Sequence, residues 1–259
     1  MTVLRSLVMA FACFSRIPVP NVKWEDSSMR FMMCFFPLVG VVVGLLVWLW
    51  LLVCDLVGFG AIARGAGIAL VPIVVTGGIH VDGLADVFDA QSSHAEPDRK
   101  REILKDPHLG AFAAIGLVSY MIAYFALGCE APALADAGKV GLLFVLLHAY
   151  SRCLSGIATT VFPQNASQGM LAQFHDSANK GAVVALAVEA IACVAAFVVA
   201  SPLAGVLMAV AGLLSLLWIF VFSRRQFGGM SGDLAGCFLQ VAEIAMLACL
   251  VVVGKVVGL

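Results

Sequence analysis

Charge is scarce in this 259-residue chain: 12% of the residues are Asp, Glu, Lys or Arg, and 15 basic against 16 acidic side chains leave a formal net charge of −1. Binding a polyanion needs a concentrated basic surface, so nucleic acid is excluded as a partner. Paired cysteines are also missing. Cys13, Cys34, Cys54, Cys129, Cys153, Cys193, Cys237 and Cys249 are scattered through apolar runs without a C-x-x-C spacing. That argues against a zinc site or a disulfide framework and reads as small hydrophobes. No small-residue cleavage signal follows the short apolar stretch from Arg5 to Phe14, so no signal peptide is expected to be removed. There is no internal repeat, low-complexity tract or linker, and residues 1–259 are expected to form one domain.

What the chain has in abundance is apolar sequence: 62% of residues are hydrophobic and the mean hydropathy is +1.05, well outside the soluble mix. The pattern predicts an all-α, polytopic membrane bundle in the lipid bilayer with about seven transmembrane helices. They are expected near 31–56, 66–80, 111–127, 140–161, 181–200, 203–222 and 234–258, with the second helix continuing through an acidic motif and out of the bilayer. The Arg5–Phe14 stretch is too short to span and reads as interfacial, with Trp24 a candidate anchor.

Lys and Arg set the orientation. Arg5, Arg16, Lys23, Arg30, Arg99, Lys100, Arg101, Lys105, Arg152, Lys180, Arg224 and Arg225 fall on one side, against Arg64, Lys139 and Lys255 on the other. The bias puts the N-terminus, the acidic motif and the loops 91–108, 162–180 and 224–233 in the cytoplasm.

The acidic motif runs Gly77-Gly78-Ile79-His80-Val81-Asp82-Gly83-Leu84-Ala85-Asp86-Val87-Phe88-Asp89. On a helix, Asp82, Asp86 and Asp89 at i, i+4 and i+7 share a face, where like charges repel unless a cation sits against them. A hard divalent ion held by oxygens suits that face; a solvated acidic cap is the plainer reading. Arg224-Arg225-Gln226-Phe227-Gly228-Gly229-Met230-Ser231-Gly232-Asp233 joins two guanidinium groups to glycines that permit close approach to a phosphate, although an ordinary positive-inside loop looks the same. Glu243 lies about 15 Å along a helix from Asp233 and must be protonated, paired or metal-bound. Lys105-Asp106 opens the third span and Ser151-Arg152 lies in the fourth. The 97–105 charges read as an exposed helix beginning near Pro97. His80 suits an acid–base role or a helix-end hydrogen bond, while His94, His148 and His175 stand without chemical neighbours, and Glu189 lacks a motif. Carboxylates with cationic side chains on one membrane face are the equipment of phosphoryl transfer.

Several motifs together resemble the cobalamin synthases, the adenosylcobinamide-GDP ribazoletransferases. They are Phe14-Ser15-Arg16-Ile17-Pro18-Val19-Pro20, Thr76 through Asp89, Lys105-Asp106 with Leu109-Gly110, Ser151-Arg152, Gly228-Gly229, Ser231-Gly232-Asp233 and Glu243, in order along nearly the whole chain. The resemblance implies a Mg²⁺-dependent membrane enzyme that joins alpha-ribazole or its 5'-phosphate to adenosylcobinamide-GDP, releasing GMP. On that reading Asp82, Asp86 and His80 are catalytic; Asp82, Asp86, Asp89, Asp106, Asp233 and Glu243 are metal ligands. Lys105, Arg152, Arg224, Arg225, Gly228 and Gly229 meet phosphates. An oligomer is compatible with the sequence. The chain departs from the usual pattern at Ala90, Phe112, Ala113, Met230 and Gln240, the last standing where relatives often carry a Glu. A CDP-alcohol phosphotransferase would need D-G-x-x-A-R, whereas Asp82-Gly83 is followed by Leu84-Ala85-Asp86-Val87. A cation-coupled transporter would need paired broken helices, and none is visible.

Overall fold

The computed structural model describes residues 2–22, 24–131, 137–165 and 180–257. Lys23, His175 and the 166–179 part of the expected cytoplasmic loop lie outside the described residues. The elements are α1 (Thr2–Phe14), α2 (Asp26–Met32), a 3₁₀ turn (Met33–Phe35), α3 (Phe36–Val57), α4 (Ala61–Thr76), α5 (Ile79–Ser92) and α6 (Pro97–Ile103). They continue with α7 (Ala111–Cys129), α8 (Ala137–Val161), α9 (Lys180–Ala200), α10 (Pro202–Phe227) and α11 (Gly232–Val257). Among the described residues, six helical segments are long and apolar enough to cross a membrane, and a seventh if α4 and α5 count as one broken span. The chain is an all-α, multi-pass membrane bundle.

The second span departs from expectation. Rather than running on through the acidic motif, the helix breaks at Gly77-Gly78, and α5 leaves the α4 axis at 97°. Both glycines take left-handed backbone angles (φ +67° and +80°), which cost a residue with a Cβ far more than they cost glycine. The N–H groups of Gly77 and Gly78 both return to the Ile73 carbonyl and close the end of α4. The Arg16 N–H donates to the Val75 carbonyl at 2.7 Å, and its side chain lies across Gly77, so the segment after α1 clamps the break. At 14 residues and turned 97° from α4, α5 is not itself a crossing segment.

Burial in this bundle is inverted relative to hydropathy: α8 is the most buried span and the least apolar, while α9 is the most apolar and largely faces outward. Lipid solvates apolar side chains, so polar ones collect where other helices cover them. Close approach makes this cover. Gly40 and Gly44 set α3 directly against the backbone of α8 at His148 and Val145, a small-xxx-small contact.

Beside that contact lies a buried ion pair. Arg152 on α8 donates to Oε1 of Glu243 on α11, to the His148 carbonyl at 2.9 Å and to the Ser151 hydroxyl at 3.0 Å. Ser151 Oγ and His148 Nδ1 stand 3.0 Å and 3.2 Å from the same carboxylate oxygen. His148 thus has the chemical neighbours that sequence reading denied it. Removing one partner of such a pair strands a charge, whereas replacing both with apolar groups does not. Glu243→Ala is expected to lose about 3–5 kcal/mol of stability, and Arg152→Met/Glu243→Leu to recover most of it. Unfolding in lipid nanodiscs checks this; a single variant as stable as the parent would refute it.

Candidate active site

The site is built where α5 crosses the first turns of α11. Gly83 packs so tightly that an added Cβ would lie 2.7 Å from the Asp233 carbonyl, and a Cβ on Gly236 would lie 2.9 Å from that of His80. This contact gathers Asp82, Asp86 and Asp233 around one junction. At the start of α11 the Ser231 hydroxyl accepts the Leu234 N–H at 3.2 Å as an N-cap, leaving Asp233 in the first turn, where helix N–H groups favour an anion.

Among the described residues no ion pair neutralises these three carboxylates. Partial burial, and after it the charges of Asp233, Asp82 and Asp89, push the Asp86 carboxyl up to about 6. Such a cluster can take a hydroxyl proton or hold a hard cation. It is not a finished metal cage: among the described residues no three His, Cys, Asp or Glu side chains converge as a metal-binding group.

The other expected metal ligands are engaged elsewhere. Asp89 turns its two oxygens to the N–H groups of Gly110 (2.6 Å) and Ala113 (2.9 Å) and caps α7, because an N-terminal turn offers unpaired donors to a nearby carboxylate. Asp106 is exposed and takes the His108 N–H at 3.0 Å and ring Nδ1 at 2.7 Å, hydrogen bonds that hold it below its ordinary value. Glu243 belongs to the Arg152 pair, about 15 Å down α11 from Asp233. The Gln240 side-chain carbonyl accepts the Tyr120 hydroxyl at 2.7 Å.

The expected phosphate-binding set is likewise divided. Arg152 is buried with Glu243. Lys105, Arg224 and Arg225 are exposed, with the Arg224 guanidinium 5.1 Å over the Phe220 ring. The freedom of Gly229 (φ +152°) serves the chain's own backbone: a Cβ would lie 2.6 Å from the Pro163 carbonyl, which accepts the Met230 N–H at 2.8 Å. Gly228 lies against the Arg101 guanidinium.

Three cations that sequence reading left without a site role are placed by the fold. Lys100, only 4% exposed, donates to the side-chain carbonyls of Gln91 (3.0 Å) and Gln226 (2.6 Å) and sits 5.9 Å over the Phe227 ring. Arg101 donates to the Phe227 carbonyl at 3.2 Å. They therefore fasten α6 to the C-terminal end of α10, where cations are favoured. Arg16 is the third, at the Gly77 break. Periodicity could not find the first two, since their partners lie 126 residues away.

A cavity of about 190 Å³ opens beside Asp82 and Asp233, walled by α1, α3, α5, α8 and α11. His80 forms part of its wall and is buried, with Nε2 lacking a hydrogen-bond partner among the described residues. The Phe36 and Phe14 rings stand 5.8 Å and 6.4 Å from the imidazole. His80 also borders a second space of about 10 Å³, beside Arg152 and Glu243. That is roughly the room of one water molecule.

Comparison with known proteins gives this arrangement a family. The family model described as cobalamin-5-phosphate synthase matches residues 6–251. The chain is 37% identical over 260 residues to the adenosylcobinamide-GDP ribazoletransferase of Lachnoclostridium phytofermentans, covering 98% of this chain and 96% of the relative. It is 30% identical to the proteins of that name from Desulfitobacterium hafniense (94% of this chain, 95% of the relative) and Listeria monocytogenes (96% and 98%). No solved structure matches. With nearly its whole length matched, and the motif aspartates gathered at one junction, the chain belongs to the cobalamin-5-phosphate synthase family.

Proposed function

We propose that the chain is an adenosylcobinamide-GDP ribazoletransferase, joining alpha-ribazole or its 5'-phosphate to adenosylcobinamide-GDP and releasing GMP. The observation that carries this reading is the meeting of Asp82, Asp86 and Asp233 at the α5–α11 junction in a chain so similar to relatives of that name. A ribose hydroxyl of the acceptor attacks the phosphorus attached to the cobinamide arm. A new P–O bond forms, the bond to the bridging oxygen breaks, and GMP departs with that electron pair. A carboxylate of the junction takes the hydroxyl proton. Asp86, raised toward neutrality by burial and its neighbours, is the best matched to that task.

Mg²⁺ fits the donors present, since it is held by one or two carboxylates together with waters and substrate phosphates rather than by a full protein cage. Asp82 and Asp233 would hold it, leaving Asp86 to take the proton, and when bound it would supply charge neutralisation on the pyrophosphate oxygens. Arg16, Lys105, Arg224 and Arg225 are exposed cations available to substrate phosphates, Lys100 and Arg101 being committed to α10. The Lys and Arg distribution supports a site facing the cytoplasm from the inner membrane of a prokaryote.

Protein reconstituted in lipid with adenosylcobinamide-GDP, alpha-ribazole and Mg²⁺ is expected to form adenosylcobalamin and GMP in equal amounts. Absence of product with either acceptor would sink the assignment; activity untouched by a chelator would sink the role of the metal. Asp86→Asn is expected to abolish turnover while stabilising the fold in chelator. Because the folded-state value of Asp86 lies above the ordinary value of about 4, its ionisation costs the fold most above pH ~6 and nothing below about 4. The variant should therefore melt higher than the parent at about pH 8, and the gap should shrink at about pH 5. An equal or lower midpoint at the higher pH would show that neither burial nor the neighbouring carboxylates raise the Asp86 carboxyl.

A further inference from the structure

The cavity beside Asp82 and Asp233 has a composition unlike the rest of the site. Beside the two carboxylates its lining includes Phe14, Met33, Phe36, Ala235 and Leu239. The Phe14 and Phe36 rings lie with centroids 4.2 Å apart, and the imidazole of His80 is inclined only 26° to Phe14. Hydroxyls are few: Thr159 returns its own to the Gly156 carbonyl at 3.0 Å, and Ser155 is the other. The buried His80 Nε2 is without a partner among the described residues, an arrangement that favours a ligand carrying one polar ring atom among apolar ones.

Size and polarity restrict the occupant. About 190 Å³ is below the range of pockets that enclose a whole drug-sized molecule, so neither a corrinoid nor a complete nucleotide enters it. A guanine would bury several ring-edge donors and acceptors against phenyl and aliphatic groups, which is unfavourable without partners. A flat fused ring with a hydrocarbon edge suits both the volume and the aromatic walls.

Resting on the transferase reading above, we infer that this cavity receives the base of the acceptor nucleoside and selects apolar, fused-ring bases. The ribose then lies at the carboxylate end, its hydroxyls toward Asp82 and Asp233. The donor approaches the same carboxylates from outside the cavity. Specificity for the acceptor base is thus set by α3, α11 and the turn before α3, apart from the groups that perform the transfer.

Reconstituted full-length protein tests this by separate KM measurements for the two substrates. Ala235→Leu, which fills the cavity without touching a carboxylate, is expected to raise the KM for alpha-ribazole by about tenfold or more and to leave that for adenosylcobinamide-GDP unchanged. An unchanged alpha-ribazole KM, or an equal rise in both, would overturn the inference. Met33→Ala, which enlarges the cavity, is expected to improve kcat/KM for a nucleoside with a bulkier apolar base, and no improvement counts against it. This second variant decides the matter if Ala235→Leu does not fold. A purine nucleoside should be used about tenfold less efficiently than alpha-ribazole, and equal use would overturn the claim of apolar selection. Calorimetric binding of the free base of alpha-ribazole to the protein in nanodiscs separates this inference from the assignment of the reaction. Binding weakened by Ala235→Leu upholds the pocket even in protein that forms no product; no binding by the parent protein rejects it.

Discussion

Two consecutive glycines in left-handed backbone geometry bear most of the architecture of the site. A membrane helix normally continues until its apolar sequence ends, because each interrupted backbone group needs a new partner in a medium that offers none. Here the interruption is made good locally: the carbonyl of Ile73 takes two N–H groups and that of Val75 takes the N–H of Arg16. Only because those groups are satisfied can α5 swing 97° away from α4 and lay its carboxylates across the start of α11. A straight helix would have carried Asp82 and Asp86 away from Asp233.

The bundle accommodates its remaining charges by burying them in protein instead of lipid. α8 can be the least apolar of the spans because α3 covers it at the distance Gly40 and Gly44 allow, and Glu243 answers Arg152 from α11. The two carboxylate-bearing regions of α11 consequently have opposite characters. Glu243 is neutralised by Arg152, Ser151 and His148, which makes it a fixed part of the core. Asp233, two turns and more above it, faces like charges without an ion-pair partner among the described residues. Stored repulsion of this kind favours proton uptake, cation binding or both, and a phosphoryl-transfer site uses each of these. Different contacts hold α6, where Lys100 and Arg101 fasten it to the end of α10, while the Gly229 backbone lies against Pro163.

Much of this was legible in the residues alone. Composition and hydropathy determined an all-α membrane bundle and the approximate place of its spans, since burial in lipid is decided by each segment's own apolarity. The spacing of Asp82 and Asp86, with Ser231-Gly232-Asp233, marked the acidic machinery, and the order of motifs indicated the family. What only the tertiary structure decided was the partner of each charge. Asp89 and Asp106 satisfy N–H groups and a histidine, Glu243 and Arg152 satisfy each other, and Lys100 and Arg101 serve α10 rather than solvent. Helix periodicity states which side chains share a face; it does not state which face of which other helix lies opposite. That depends on the turn at Gly77-Gly78 and on backbone contacts between residues far apart in the chain, so the acidic junction and the cavity beside it emerged only from the packing.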